Sequence, residues 1–125
     1  MIVDTDVLIW YLRGKNSAAG FLDGLDAISL SAVTYMELVR GMRNKQELQV
    51  LRRTLSRRRW PLRVINETIC NRAMTYVEQH FLSDSLQMAD ALIAATCIEY
   101  GETLATANVK HYRPIGELLI EPYSP

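Results

Sequence analysis

The sequence predicts an α/β fold, a three-layer sandwich in which a central, mostly parallel sheet of four to five strands is flanked by helices on both faces. Three observations predict it. The chain opens on an apolar run, Met1 to Val3, that is too short for a helix and stops at an acid, as a buried parallel strand does where it leaves the core. Short apolar runs of this kind then alternate with longer segments whose apolar residues recur every three or four positions. Strands separated by helices of that length run parallel, because parallel neighbours need a right-handed crossover.

Taken in order, the first strand places Asp4 at its carboxyl end, and a helix follows to about Leu12. Gly14 to Ser17 breaks the chain, Ala18 to Leu25 can form a short helix, and Ala27 to Leu30 reads as the second strand. Ser31 can cap a helix that carries Val33, Met36, Glu37 and Val39 before Gly41 interrupts it. Leu48, Leu51 and Leu55 define the buried stripe of the next helix, which Trp60 and Pro61 end. Leu62 to Ile65 reads as a strand, and Asn66 caps a helix that runs to about His80. After a polar turn at Ser83 to Ser85, Leu86 to Tyr100 is an alanine-rich helix closed by Gly101, where a left-handed cap is required. Thr103 to Thr106 reads as a strand, Asn108 opens a turn, and Leu118 to Ile120 reads as an edge strand before a proline-bounded tail.

Composition sets the scale. The chain has 125 residues, 49% hydrophobic and 22% charged, which suits one ordinary domain over 1–125 and leaves no room for a second. The start, MIVDTDVLIW, carries acids and no basic leader, so neither a secretory signal nor a membrane span is expected and the protein is placed in the cytoplasm. Cys70 and Cys97 form no metal or redox spacing and read as buried, reduced thiols. The formal net charge is +0, which argues against nucleic-acid binding by bulk charge. Its distribution differs: between Arg40 and Arg63 the basic residues, Arg52, Arg53 and Arg57 among them, face the single acid Glu47. That helix is either a solvated charged face or a track for RNA phosphates, with Trp60 packed beneath it or stacked on a base.

The chemistry-bearing residues converge on one edge. In open parallel sheets, sites form beyond the carboxyl ends of the strands, and Asp4, Glu37, Asp90 and Asn108 all fall near such ends. Three carboxylates brought together repel one another, and a hard divalent cation removes that penalty. Magnesium uses one or two carboxylates plus waters and substrate phosphates, which suits phosphodiester hydrolysis. Asp90 carries the strongest individual signal, because it sits among Met88, Ala89, Ala91, Leu92 and Ile93, where an unpaired carboxylate is costly. His80 reads as a helix-end cap and Tyr112 as packing, while His111 lies close enough in sequence to Asn108 to reach substrate.

The segments MIVDTDVLIWYL, SAVTYMELVRG, MADALIAATCIEYG and LATANVKHY, in this order and spacing, resemble the four motifs of PIN-domain ribonucleases. Within that family the chain most resembles the VapC-type toxins of type II toxin-antitoxin systems. The resemblance implies a PIN-like domain in which Asp4, Glu37 and Asp90 bind metal, Asn108 stands at the fourth site position, and Thr5 and Thr106 supply flanking hydroxyls. It also implies Mg²⁺, with Mn²⁺ able to substitute, and endonucleolytic cleavage of RNA by metal-activated water. A homodimer held inactive by a cognate antitoxin, with no membrane association, completes the implied picture. Two departures stand out. Asp6 occupies a place where the family often has Asn or Ser, either as an added ligand or, preferably, as a helix cap; Asn108 is neutral where many members have Asp.

Two rivals remain. A haloacid-dehalogenase-like phosphatase would use Asp4 as nucleophile and Asp6 as general acid, but it needs a lysine and a further acidic pair on strand-end loops. A non-catalytic PIN-like module would keep the cleft for binding alone, against which the retention of all three acids argues.

Overall fold

The computed structural model describes residues 1–82 and 86–125, so the turn expected at Ser83 to Ser85 lies outside the described residues. Five short strands, β1 (Ile2–Val3), β2 (Leu30–Ser31), β3 (Leu62–Arg63), β4 (Leu104–Thr106) and β5 (Ile120–Pro122), carry the sheet. The ladder β1-β4-β5 and the pair β2-β3 are each parallel. A parallel bridge between Ile2 and Ser29 joins them, with Val3 N donating to Ser29 O at 3.1 Å and Ser29 N to Met1 O at 2.9 Å. The strand order is therefore β3-β2-β1-β4-β5, and every pairing described is parallel where a mostly parallel sheet was expected.

The helices are α1 (Thr5–Leu12), α2 (Asn16–Asp23), α3 (Ala32–Arg40), α4 (Lys45–Arg58), α5 (Glu67–His80), α6 (Met88–Tyr100) and α7 (Val109–Tyr112). Alternation along the strands shows why they cover both faces. Ile2 and Leu104 join a core with Ile69, Tyr76 and Ile93 of α5 and α6, whereas Val3 and Ala105 join one with Val7, Leu22, Leu38 and Leu51 of α1 to α4. Because successive residues point to opposite faces, a strand buried on both sides needs apolar residues without alternation.

Caps set the boundaries. Ser31 Oγ accepts from Val33 N, Asn44 and Asn66 accept from Glu47 N and Ile69 N, and Gly101 closes α6 at φ +63°. Six consecutive buried or half-buried residues from Ala91 to Thr96 make α6 apolar nearly all round, and its small alanines let α5 lie against it.

The differences from sequence expectation have local causes. α2 begins at Asn16, inside the expected break, because Lys15 already takes an extended conformation and its carbonyl accepts from Ala18 and Ala19. β2 lies at Leu30–Ser31 rather than Ala27 to Leu30, since Ala27 is held at φ +40°, which no strand accommodates. The turn opened by Asn108 continues into α7, and β5 starts two residues late, with Pro122 tolerated on an edge. Cys97 is buried as expected, but Cys70 is exposed on the outer side of α5; both are free thiols. No helix among the described residues is long and apolar enough to cross a membrane.

Candidate active site

The carboxyl ends of β1 and β4 meet side by side, and Asp4 stands at their junction. Its backbone N donates to Ala105 O at 2.8 Å, continuing the sheet, and its side chain caps α1. Oδ1 accepts from Thr5 N at 2.8 Å and Oδ2 from Thr106 Oγ1 at 2.7 Å, so both oxygens are held. Asp4 is only 4% exposed. Burial first, and the nearby Asp6 charge second, push its carboxyl up to about 7, against the opposing pull of the Thr106 and Thr5 hydrogen bonds.

Thr5 ties this acid to the next. Its Oγ1 donates to Glu37 Oε1 at 2.7 Å and lies 3.1 Å from the buried Thr34 Oγ1, which can donate back. Ser31 caps α3 and thereby presents Glu37 two turns on, exposed beside Thr5. Thr5 and Thr106 therefore touch Glu37 and Asp4 through their hydroxyls.

Asp90 enters from α6 and Asn108 from the start of α7. Asp90 Oδ2 accepts from Gln87 N at 3.0 Å, which caps α6, and lies 3.6 Å from His111 Nδ1. Asn108 N donates to Thr106 Oγ1 at 2.9 Å, while its side chain makes no capping bond to α7. The Tyr112 hydroxyl is buried and meets no acceptor at hydrogen-bonding geometry. Its burial, and then the charges of Asp4, Asp90 and Asp6, hold it protonated. Tyr112 is thus packing, as expected, and its side chain is fully buried.

Asp6 corrects the sequence reading. Asp4 is the residue that caps α1; Asp6 lies inside the helix, accepting from Val7 N at 2.8 Å through Oδ1 and from Ala107 N at 3.0 Å through Oδ2. Burial pushes its carboxyl up, against these backbone bonds. Trp60 packs in the core against Tyr11, with Arg58 over its ring, and is no base platform. Arg52, Arg53 and Arg57 are exposed on the outer side of α4, opposite buried Leu51 and Thr54.

A feature the sequence reading missed is an open groove of about 330 Å³ between α1, α3 and α4, walled by Ile9, Leu12, Leu38, Met42 and Val50, with Glu37 and Arg13 in its lining. Its signal was present in the sequence: Ile9 and Val50 are apolar residues on the solvent side of their helices, 37% and 47% exposed.

The donor set fits a hard cation. Asp4 is a buried carboxylate whose partners are a hydroxyl and a backbone N–H, with no cationic side chain bonded to it. Among the described residues, no three His, Cys, Asp or Glu side chains stand close enough to enclose an ion by themselves. An ion here would complete its shell with water and substrate oxygens, which is the habit of magnesium.

The PIN domain family model matches residues 1–115, which takes in Asp4, Glu37, Asp90 and Asn108. The chain belongs to the PIN domain family. This PIN domain is 35% identical over 130 residues to Ribonuclease VapC10 of Mycobacterium tuberculosis, spanning 99% of the chain and 93% of that relative. It is 33% identical to Ribonuclease VapC19 of the same organism, over 98% of each. Among solved structures, a toxin-antitoxin complex from Klebsiella pneumoniae superposes with a TM-score of 0.83 at 26% identity, covering 99% of this chain and 98% of that one. VapBC2 from Rickettsia felis, bound to a DNA fragment from its promoter, shares the fold with a TM-score of 0.81 at 22% identity and 98% coverage of both chains.

Proposed function

We propose that this PIN domain is a magnesium-dependent endoribonuclease, the toxin of a toxin-antitoxin pair, acting in the cytoplasm as a single domain over 1–125. The observation that carries the reading is Asp4, a carboxylate buried at the carboxyl edge of the sheet and clamped through Thr106 and Thr5 to the residues that lead to Asn108 and Glu37. The full-length likeness to two VapC ribonucleases supports the activity. The likeness to a toxin-antitoxin complex supports the antitoxin partner.

Asp4, Glu37 and Asp90 are the residues that would hold Mg²⁺, or Mn²⁺ in its place, with Asn108 offering its amide oxygen or orienting a water. When bound, the cation supplies positive charge to the phosphate and acidifies water for in-line attack at phosphorus. The chain's own part is positioning. Thr106 and Thr5 fix both Asp4 oxygens, and Thr5 fixes one Glu37 oxygen, so the acids need not reorganise as charge develops. Arg52, Arg53 and Arg57 offer phosphate contacts that carry no sequence information. Exposed Met74, Val77, Phe81, Leu82 and Met88, around the end of α5 and the start of α6, support assembly with a second copy.

The phosphatase alternative loses its general acid, because both Asp6 oxygens already accept backbone N–H groups. The test compares RNA and a generic phosphomonoester with Mg²⁺ or EDTA, beside Asp4→Asn and Asp90→Asn. RNA cutting that EDTA abolishes and that each variant lowers by at least about a hundredfold supports the reading. Phosphomonoester turnover would replace it with the phosphatase, and RNA binding without cutting would replace it with a binding module.

A further inference from the structure

Both Asp6 carboxylate oxygens accept backbone N–H groups, Oδ1 from Val7 in the first turn of α1 and Oδ2 from Ala107 in the loop that carries Asn108. The loop 106–108 joins β4 to α7; Tyr123 N donates to Thr106 O and His111 N to Asn108 O, and three further bonds involve side chains: Thr106 Oγ1 donates to Asp4 Oδ2, Asn108 N donates to Thr106 Oγ1, and Ala107 N donates to Asp6 Oδ2 at 3.0 Å. The first two run through Asp4. The third runs to Asp6 instead, and it crosses from α1 to a position 101 residues later.

The bond has a consequence for Asn108. A residue in the N-cap position ordinarily spends its side chain on the first backbone N–H groups of the helix. Asn108 makes no such bond, although it precedes α7. The loop is instead anchored one residue earlier, so the exposed Asn108 amide is left unspent. We propose that Asp6 is a positioning residue, which clamps Ala107 against α1 so that the Asn108 side chain serves the site instead of the helix. The proposal rests on the nuclease reading for what Asn108 does, but the clamp itself is a property of the fold.

Charge is not what the clamp needs; an acceptor oxygen is. Asp6→Asn keeps one acceptor for Ala107 N and loses the charge, whereas Asp6→Ala loses both. The two variants and the parent protein are compared in three measurements: hydrogen exchange at the Ala107 amide, Mg²⁺ and Mn²⁺ titration without RNA, and RNA cleavage separated into kcat and KM. The clamp predicts that Asp6→Ala speeds Ala107 exchange and lowers kcat by about tenfold or more, with cation affinity within about threefold of the parent. Asp6→Asn should protect Ala107 and bind cation as the parent does, with a smaller loss of kcat than Asp6→Ala.

A ligand role would instead cost both variants cation affinity by about tenfold or more, and that result overturns the proposal. Unchanged Ala107 exchange in Asp6→Ala overturns it equally. If no form cuts RNA, the nuclease reading fails, yet exchange and titration still decide the clamp. If Asp6→Ala does not fold, Asp6→Asn decides, since loss of its cation affinity or of Ala107 protection contradicts the clamp.

Discussion

At the scale of single residues, the site is built by spending carboxylates on structure as well as chemistry. Asp4 caps a helix, accepts a hydroxyl and lies buried, and the cost is a carboxyl that holds its proton up to about pH 7. The native chain therefore binds one more proton than the unfolded chain between about pH 4 and pH 7, so this group's stabilising contribution is full at low pH and is lost as pH rises through 7. Without added metal, the parent protein should lose about 3 kcal/mol relative to Asp4→Asn across that window. Urea unfolding of both proteins at pH 4.5 and pH 8 checks this; Mg²⁺ should restore stability to the parent alone at the higher pH. Glu37 was placed by the Ser31 cap of its helix, and the places of Asp4 after β1, of Asp90 in the first turn of α6 and of Asn108 after β4 were legible because each follows a strand or opens a helix. The role of Asp6 was not, because its partner is a backbone N–H 101 residues away that no pattern of side chains reveals.

At the scale of elements, helices were easier to read than strands. α3 and α5 begin on the capping side chains of Ser31 and Asn66, and α6 ends on the left-handed backbone of Gly101. The strands are two or three residues long, too short for any periodicity, so the bounds of β2 and β5 moved while their existence did not. α7 is a single turn that the turn signal at Asn108 concealed. Gly101 gives a clean test of capping. A Cβ there would meet nothing within 4 Å, so Gly101→Ala pays only for its φ of +63°. The expected loss is about 1 kcal/mol, read as a lower urea midpoint with unchanged slope.

At the scale of the whole molecule, near-neutral charge hides a polarity. The arginines of α4 lie on its solvent side, while Asp4 lies buried at the end of β1. If Arg52, Arg53 and Arg57 contact RNA phosphates, replacing all three with Gln in an Asp4→Asn background should weaken RNA binding at every sequence. The slope of log affinity against log salt should fall by about 2, at about 0.7 per contact for a single strand. An unchanged slope assigns that face to solvent. The alternation of short apolar runs with helical segments suggested a sandwich, and the both-face burial of Ile2, Val3, Leu104 and Ala105 explains why near-continuous apolar runs foretold it.

The central strand is the first one made. β1 pairs with β4 through Ile2 and Leu104, and Asp4 receives its Thr106 hydrogen bond from 102 residues downstream. During synthesis that carboxylate must wait for 102 further residues before the Thr106 hydroxyl exists. A translation product interrupted before Leu104 leaves β1 without its β4 neighbour and Asp4 without its hydroxyl donor, so the order of manufacture delays closure of this edge until β4 has emerged.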